Sequence, residues 1–244
     1  MGTPDRLYLA DPYLRQFEAS VVESADGECT LTQTAFHPGG GGQPQDAGWL
    51  TWRGEAVPVT NVREDEAGRL WHDVGRDLPV GDGVRGSLDW PLRYAVMRHH
   101  CLLHVVNAVA HQRFGGLVTG AQIGPERSRV DLSMSGFSRD HVPSFEAEVN
   151  MVLARGLRVT ASTVREEELD TRPDLVRTLK VRPPAAGGVV RIVELEGFDA
   201  QACGGTHVHS TREIGVARLI KFENRGRVNK RLYWELGDAQ VEHE

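Results

Sequence analysis

Two short motifs that carry histidine and cysteine, about a hundred positions apart, constrain this 244-residue chain more than any other feature. The first is Arg-His-His-Cys-Leu-Leu-His at residues 98–104, and the second is Cys-Gly-Gly-Thr-His at residues 203–207. A fold that uses both motifs must bring these distant segments together. They would then offer three imidazoles and one thiolate, a set that among common divalent ions suits zinc best. The four candidate ligands are His100, His104, Cys203 and His207.

The first motif is predicted to lie on a helix. Asp89 can cap the start of this helix, residues 94–114 contain no Gly or Pro, and a Gly-Gly pair ends the run. His100 and His104 are four positions apart, so their rings project from one face, one helical turn from each other. His99 points elsewhere and is not predicted to be a ligand.

The second motif is predicted to be a tight loop, because Gly204 and Gly205 let the backbone fold closely around an ion. Taken alone, the His100/His104 pair is equally typical of two histidines without a metal, since ten histidines in the chain produce such a spacing easily by chance. The cysteine loop shifts the balance strongly to a metal site. A structural ion is the alternative to a catalytic one, because four protein ligands close a site, whereas catalysis needs an exchangeable position.

A third unusual segment, residues 36–48, reads Phe-His-Pro-Gly-Gly-Gly-Gly-Gln-Pro-Gln-Asp-Ala-Gly. Four successive glycines remove every Cβ, so a ligand or another backbone can approach closely. The segment fits neither the phosphate loop, since no Lys-Ser or Lys-Thr follows, nor the dinucleotide-binding pattern. Gln43, between glycine and proline, would be a fixed amide that both donates and accepts hydrogen bonds, and a plain flexible turn is the alternative.

In their order along the chain, 36–48, 100–104 and 203–207, the three segments resemble the alanyl-tRNA editing proteins of the AlaX family and the editing region of alanyl-tRNA synthetase. That family has a Phe-aromatic-Pro-x-Gly-Gly-Gly-Gln-Pro-x-Asp-x-Gly segment, then a His-x-x-x-His helix, then Cys-Gly-Gly-Thr-His. The likeness extends from about Leu31 to Leu236 and is to the medium-length type, which lacks a long C-terminal extension. The departures are His37 for Tyr, Gly39 for an acidic residue and Cys101 for Thr, which leave the metal site intact and bear on substrate preference.

The resemblance implies a trans-editing hydrolase that cleaves the ester bond of mischarged tRNA(Ala). Its main substrate would be Ser-tRNA(Ala), with Gly-tRNA(Ala) as a second candidate. It also implies one zinc ion per chain, bound first by His100, His104 and Cys203. His207 would be either a fourth ligand or a hydrogen-bonding partner that orients a ligand.

The resemblance also implies which residues contact the substrate side chain. Thr34 and Gln43 would face the serine hydroxyl. Such contacts would select serine over alanine, because alanine leaves these buried hydrogen-bonding groups without a partner. Gly41 and Gly42 would let this segment approach the substrate without side chains in the way.

The charge of the chain is unevenly distributed. A net charge of −6 argues against a general nucleic-acid binder, but the acidic excess lies within residues 1–89. Basic side chains cluster after the second metal motif, and we expect three of them, Lys221, Arg225 and Arg227, to contact tRNA phosphates. The alternative is a solvated strand edge that lysine and arginine protect from aggregation.

The composition indicates an ordinary soluble protein. The chain is 40% hydrophobic and 25% charged, contains no apolar run long enough for a membrane span and starts without a secretory pattern. Its three cysteines fit a reducing compartment better than a disulfide scaffold. We therefore expect a cytoplasmic protein without a membrane partner. The sequence does not fix the oligomeric state, and a monomer is compatible with it.

The pattern of elements predicts an α+β fold with two domains. Residues 1–88 contain many short strand signals separated by turns, which favour a small β-barrel, and the resemblance implies that this barrel is translation-factor-like. Residues 89–244 mix helices and strands and predict a two-layer α+β domain that binds zinc and carries the editing site. Helices are expected at about residues 143–155 and, for a shorter one, 172–179.

Three other functions compete with this interpretation. A deacylase of Ser-tRNA(Thr) would carry the same two zinc motifs, although the glycine-rich segment favours the alanine branch. A non-catalytic tRNA-binding module with a structural zinc is a different class of protein. A zinc protease of the His-Glu-x-x-His type is disfavoured, because Cys101 stands where the glutamate is required.

Overall fold

The computed structural model of the chain describes residues 4–179 and 185–237, which form an α+β fold as predicted. The chain divides into two compact units, Met1–Ala95 and Val96–Glu244. The boundary follows Ala95, whereas the sequence predicts one after Leu88. The difference arises because the first turn of a long helix belongs to the N-terminal unit, where Tyr13 packs against Tyr94 with ring centroids 6.3 Å apart.

The N-terminal unit is built mainly of antiparallel strands. Its elements are β1 (Asp5–Arg6), the short helix α1 (Leu7–Ala10), β2 (Gln16–Ala25), β3 (Glu28–Leu31), β4 (Gln33–Thr34), β5 (Gly48–Trp52), β6 (Glu55–Val59), β7 (Asn61–Glu64), β8 (Leu70–Asp73) and β9 (Gly83–Leu88). Seven strands form one sheet in the order β6-β5-β9-β2-β3-β8-β7, and β1 pairs with β4 in parallel. The large sheet is curled into a half-barrel.

Two-residue turns set the register of this sheet. Asp26 and Gly27 connect β2 to β3 with φ angles of 53° and 82°, and Arg53 and Gly54 connect β5 to β6 with φ angles of 49° and 85°. Positive φ at both central residues is typical of a type I′ turn, whose twist matches that of the flanking strands. The interior of the curled sheet is apolar and includes Phe17 and Phe36, whose ring centroids are 5.7 Å apart in an edge-to-face contact.

The helix predicted from the first metal motif is α2 (Trp90–Phe114). The Asp89 carboxylate accepts the Leu92 N–H at 3.2 Å, so the predicted cap is confirmed. Gly115, with φ of 60°, ends the helix. Residues 99–110 are all buried, so this part of the helix has no solvent-exposed face and any polar side chain on it must find partners inside the protein.

The C-terminal unit contains two further antiparallel sheets and one further α-helix. Its elements are β10 (Leu117–Ile123), β11 (Arg127–Ser133), α3 (Val142–Ala154), β12 (Val159–Arg165), β13 (Ala185–Ala186), β14 (Val189–Leu195), β15 (Asp199–Ala202), β16 (Ala217–Asn224) and β17 (Asn229–Leu236). One sheet has the order β10-β11-β17-β16, and the other has the order β12-β14-β13 with β15 also paired to β14. The Asn150 amide of α3 fixes this helix to β16, since it exchanges hydrogen bonds of 2.8 Å with the Ala217 backbone.

The prediction of a helix at residues 172–179 is wrong. Only Pro173–Leu175 form a single 3₁₀ turn, and the chain then runs extended beside β10, where the Val118 N–H donates to the Arg177 carbonyl at 2.8 Å. The physical reason is pairing with β10, since the Leu179 N–H also donates to the Val118 carbonyl at 2.9 Å, and a partner distant in sequence overrides the local helix signal. The predicted helix near residues 143–155 is confirmed as α3.

Within the part of the chain that the structure describes, none of the helices combines the length and the apolar character that a membrane span requires.

Candidate metal centre

The structure brings the two histidine and cysteine motifs together within the C-terminal unit. His100 and His104 project from the same face of α2, and their ring centroids are 5.2 Å apart. Cys203 and His207 come from the segment between β15 and the Thr211–Ile214 turn, which is neither helix nor strand, as predicted. We call residues 203–207 the metal loop.

The distances between the four candidate ligand atoms are those of a site that could hold one tetrahedral metal ion. The Nε2 atoms of His104 and His207 are 3.1 Å apart, and the Cys203 Sγ is 3.4 Å from His100 Nε2 and 3.6 Å from His207 Nε2. All four ligand atoms lie within 4.8 Å of one another. Zinc bonds of the usual length give tetrahedral edges of about 3.3 Å between nitrogens and about 3.5 Å between nitrogen and sulfur. The cluster could therefore hold one metal ion.

Burial keeps the imidazoles of His104 and His207 in the neutral form that binds metals. It lowers the pKa of His104 to about 4, and the Arg191 guanidinium adds to this effect. Burial also lowers the pKa of His207 well below its usual value, helped by the neighbouring His100 and His104. The pKa of the Cys203 thiol is raised by burial, so a thiolate here needs the charge of a bound metal.

Two polar side chains outside the ligand set, which the sequence did not single out, hydrogen-bond to the backbone beside the cluster, one to the metal loop and one to α2. Arg191 on β14 donates from Nη1 to the carbonyl oxygens of Cys203 at 3.1 Å and Gly205 at 2.9 Å. Gln201 on β15 donates to the His104 carbonyl at 3.1 Å. In the sequence, these residues are marked only as polar side chains on strands, which does not predict contact with a metal site.

His99 lies off the metal cluster, as predicted. It is buried, with 1% of its surface exposed, yet it is not among the four side chains whose ligand atoms converge. Burial lowers its pKa to about 4, so it is a neutral histidine of the interior.

The glycine-rich segment lies in the N-terminal unit and forms a tight turn. The backbone of Gly40 and Gln43 exchanges two hydrogen bonds, of 3.0 Å and 2.9 Å. Gly41 and Gly42 between them have φ angles of 61° and 91°, which again match a type I′ turn and favour glycine at both positions. The backbone of this segment is therefore a defined turn, and its role in substrate contact stays a prediction.

A buried ion pair anchors this turn. The Arg93 guanidinium, which has no exposed surface, donates from Nε to Asp46 Oδ1 at 2.8 Å and from Nη2 to Asp46 Oδ2. Arg93 also donates to the carbonyl oxygens of Pro12 and Ala35, and Asp46 accepts the His37 N–H. The segment is therefore fixed at its aspartate to the first turn of α2.

Thr34 lies in the interior of the N-terminal unit with its hydroxyl already engaged. Its Oγ1 is 2.9 Å from His72 Nε2, while His72 Nδ1 is 3.2 Å from the Cys29 carbonyl. Because a carbonyl only accepts, Nδ1 carries the proton, and Nε2 accepts from the Thr34 hydroxyl. The Phe36 N–H donates to the same hydroxyl oxygen at 3.1 Å. Thr34 can therefore only accept a further hydrogen bond.

The basic residues predicted to contact tRNA lie on the hairpin of β16 and β17. One carboxylate neutralises part of their charge, because Glu223 pairs with Lys221 at 2.6 Å and with Arg225 at 3.6 Å. Arg227 is exposed in the turn. Lys230 is buried, and its Nζ donates to three oxygen atoms of the turn, one of them the Arg227 carbonyl at 3.3 Å.

Comparison with known proteins gives consistent matches. Residues 190–233 match the family described as the second additional domain of threonyl and alanyl tRNA synthetase. The alanyl-tRNA editing protein AlaX-M of Saccharolobus solfataricus is 37% identical over 233 residues, which cover 94% of this chain and 98% of that protein. AlaX-M of Methanosarcina barkeri is 36% identical over 242 residues, covering 96% and 99%.

The same region also occurs inside a longer enzyme. The alanine–tRNA ligase of Korarchaeum cryptofilum is 41% identical over 217 residues, which cover 87% of this chain but only 24% of the ligase. The chain covers nearly the full length of the AlaX-M proteins and a quarter of the ligase. It belongs to the AlaX-M family of alanyl-tRNA editing proteins.

Proposed function

We propose that this protein is a zinc-dependent hydrolase that removes the amino acid from mischarged tRNA(Ala). Its main substrate would be Ser-tRNA(Ala), with Gly-tRNA(Ala) as a second substrate. The observation that carries the proposal is the convergence of His100, His104, Cys203 and His207 in a chain of the AlaX-M family. The partner would be tRNA, the cofactor one zinc ion per chain, and the location the cytoplasm, where tRNA is charged.

The ligand set suits this chemistry. A zinc ion bound by these side chains would polarise the ester carbonyl, lower the pKa of a water molecule or orient the amine and the ester. Gly204 and Gly205 carry no side chain, so an ester can come close to Cys203 and His207 on the metal loop. Because four protein ligands make a closed site, the experiment must separate a structural ion from a catalytic one.

The N-terminal unit would supply selectivity. Thr34, Gln43, Gly41 and Gly42 are our candidates for substrate contacts on the ground of the family resemblance, and Thr34 would accept a hydrogen bond from the serine hydroxyl. The resemblance further implies that the half-barrel is of the translation-factor-like type.

Phosphate contacts are proposed for the hairpin of β16 and β17. Lys221, Arg225 and Arg227 are all exposed and carry the charge that a tRNA backbone requires. Arg227 is the strongest candidate of the three, because Glu223 shares its charge with the other two.

The proposal is tested by single-turnover release of labelled amino acid from Ser-tRNA(Ala), Gly-tRNA(Ala), Ala-tRNA(Ala) and Ser-tRNA(Thr). We expect about one equivalent of zinc in the purified protein, fastest release from Ser-tRNA(Ala), and loss of activity with a chelator that added zinc reverses. Cys203→Ala and His104→Ala should abolish release because each removes a ligand. His99→Gln is the matched control, since His99 is a buried histidine of the same helix that is not in the cluster.

The other outcomes assign the alternatives. Binding of tRNA without turnover, at full zinc content, would identify a tRNA-binding module with a structural ion. Faster release from Ser-tRNA(Thr) than from Ser-tRNA(Ala) would identify a deacylase of the threonine branch. Equal loss of activity in the His99 control and the ligand variants would refute the proposed ligand set.

A further inference from the structure

The metal cluster depends on the relative position of two chain segments that are far apart in sequence. His100 and His104 are fixed on a buried helix, but Cys203 and His207 lie on a loop with two adjacent glycines. Such a loop has no side-chain packing of its own at Gly204 and Gly205 and is conformationally permissive. Something other than the loop must therefore hold its two ligands opposite the helix.

Gln201 connects the two ligand pairs directly. Its side chain is 5% exposed; its Nε2 donates to the His104 carbonyl at 3.1 Å, and its Oε1 accepts from Asn107 Nδ2 at 2.7 Å. Gln201 is two positions before Cys203, and Asn107 is three positions after His104. One buried amide thus bonds the helical turn of one ligand to the strand that leads to another.

The orientation of this amide is fixed from its other side. Gln201 Nε2 also donates to Asp199 Oδ2 at 2.6 Å, and the other oxygen of Asp199 accepts from Arg177 at 2.6 Å. Both protons of the Gln201 amide are therefore used, and rotation of the amide would break several buried hydrogen bonds at once. The link between β15 and α2 is rigid for that reason.

Arg191 fixes the shape of the metal loop itself. One nitrogen, Nη1, donates to the carbonyl oxygens of Cys203 and Gly205, and the Cys203 N–H donates back to the Arg191 carbonyl at 2.9 Å. Two carbonyl groups separated by one residue can meet the same nitrogen only when the backbone between them is curved. This curvature determines where the loop presents the thiol and the imidazole that follows it.

We propose that Gln201 and Arg191 are positioning residues that place the four ligand atoms at zinc-binding distances before the ion arrives. Gln201 sets the spacing between the helical and the loop ligands, and Arg191 sets the curvature of the loop. The inference rests on the zinc site of the proposed function. Groups that orient ligands without touching the metal typically change affinity 10- to 100-fold, which gives the expected size of the effect.

The test compares two variants with two matched controls. Gln201→Met and Arg191→Met keep a similar length and remove the hydrogen bonds to the loop and helix. Asn150→Leu is the control for the first, because Asn150 also pins a strand to a helix through its amide. Lys230→Met is the control for the second, because Lys230 is also a cation that holds a turn through its carbonyl oxygens.

Zinc affinity is measured by competition with a chromophoric chelator, starting from zinc-free protein. We expect it to fall by about 10- to 100-fold in both positioning variants and to stay within about twofold of the wild type in both controls. All four variants are expected to lower the thermal stability of the zinc-free protein, so stability alone does not distinguish them. The zinc affinity does, since general destabilisation would change it equally in all four variants.

Two further measurements make the test specific. Cobalt substituted for zinc should show weaker tetrahedral absorption bands in Gln201→Met and Arg191→Met than in the controls, because the ligands are less well placed. Asn107→Leu should reduce the zinc affinity of the otherwise wild-type protein. It should reduce the zinc affinity of Gln201→Met little further, because the two side chains act as a pair. If Gln201→Met does not fold, Asn107→Leu alone is the test, because it removes the donor that fixes the Gln201 amide at Oε1, and a loss of zinc affinity is again expected.

The outcomes separate this inference from the proposed function. If the wild type binds zinc and both positioning variants bind it equally well with unchanged cobalt spectra, the inference is overturned and the zinc site stands. If the wild type binds no zinc, the proposed zinc site fails and this inference fails with it. Equal loss of affinity in the positioning variants and the controls would also overturn it, because the effect would then be general destabilisation.

Discussion

The buried Arg93–Asp46 pair gives the most direct test of how the glycine-rich segment is held. Arg93→Met removes the guanidinium. The Asp46 carboxylate, which is 4% exposed, then keeps the hydrogen bond from the His37 N–H but loses its cationic partner. Removing one partner of a buried pair costs about 3–5 kcal/mol, because the other charge stays buried without compensation. Against a total stability of roughly 5–15 kcal/mol, this single change leaves a marginally stable N-terminal unit.

A second substitution shows whether the unpaired charge is the cause. Asp46→Asn removes the carboxylate charge but keeps an oxygen that can accept the His37 N–H. The double variant Arg93→Met/Asp46→Asn should therefore be more stable than Arg93→Met alone, even though it carries one more substitution. The measurement is the free energy of unfolding in urea, followed by tryptophan fluorescence, for the wild type, both single variants and the double variant.

The reasoning is refuted by either of two results. One is a cost below about 1 kcal/mol for Arg93→Met, which would be the value of an exposed pair. The other is additivity, in which Asp46→Asn lowers stability by the same amount with and without Arg93. Hydrogen exchange at Gly40 and Gln43 supplies an independent readout, since their mutual backbone bonds should open more readily once the aspartate loses its anchor.

Three other outcomes are expected. Burial lowers the pKa of His72 to about 4, against about 6.5 in the unfolded chain. The contribution of His72 to stability is therefore complete above pH 6.5, and about 3 kcal/mol is lost as the pH falls towards 4. The urea midpoint of His72→Gln should depend less on pH than that of the wild type, and an equal dependence would contradict the assignment. Thr34→Val should narrow the ratio of Ser-tRNA(Ala) to Ala-tRNA(Ala) hydrolysis by roughly tenfold, which corresponds to ~1.4 kcal/mol or one hydrogen bond, and an unchanged ratio would remove Thr34 from the specificity element. Replacing Arg227 with Gln should reduce the salt dependence of tRNA binding by about one unit of slope, more than the same change at Lys221, whereas an unaltered slope would place tRNA on another face.

The sequence predicted those parts of the structure that local rules determine. The helix α2 is defined by a capping aspartate, a continuous run without Gly or Pro and a terminal glycine, and each of these acts within a few residues. The two candidate ligands on this helix follow from the four-residue spacing of His100 and His104. The metal loop follows from its glycines, which exclude a helix.

Two strands of the C-terminal unit, β10 and β15, depend on distant partners and are not predicted from the sequence. β15 (Asp199–Ala202) has few residues that favour strands, and it is extended because it pairs with β14. β10 (Leu117–Ile123) contains a glycine and a register shift, which obscure its alternation. In both strands the backbone is satisfied by neighbours that the local sequence does not specify.

The same distinction applies to Gln201 and Arg191. A metal ligand is recognised by its chemistry, because only a few side chains bind zinc, and a cluster of them is rare. A side chain that positions a ligand through a carbonyl oxygen has no such signature, since any donor of suitable length can occupy the place. Only the distances to the His104, Cys203 and Gly205 carbonyl oxygens distinguish these two residues from other polar residues on strands.

Thr34 shows how a partner far away in sequence changes the chemistry of a residue that the family resemblance singles out. A threonine hydroxyl both donates and accepts, so the sequence leaves open how it would meet a serine side chain. His72, 38 positions away, accepts a hydrogen bond from that hydroxyl, which can then only accept a further one. A serine hydroxyl could then be recognised only as a hydrogen-bond donor to Thr34. Alanine and glycine have no hydroxyl, so either one would leave the remaining lone pair of Thr34 without a partner. If Thr34 contacts the substrate, this one hydrogen bond would separate serine from both alanine and glycine, and only the size of the side chain would separate glycine from alanine.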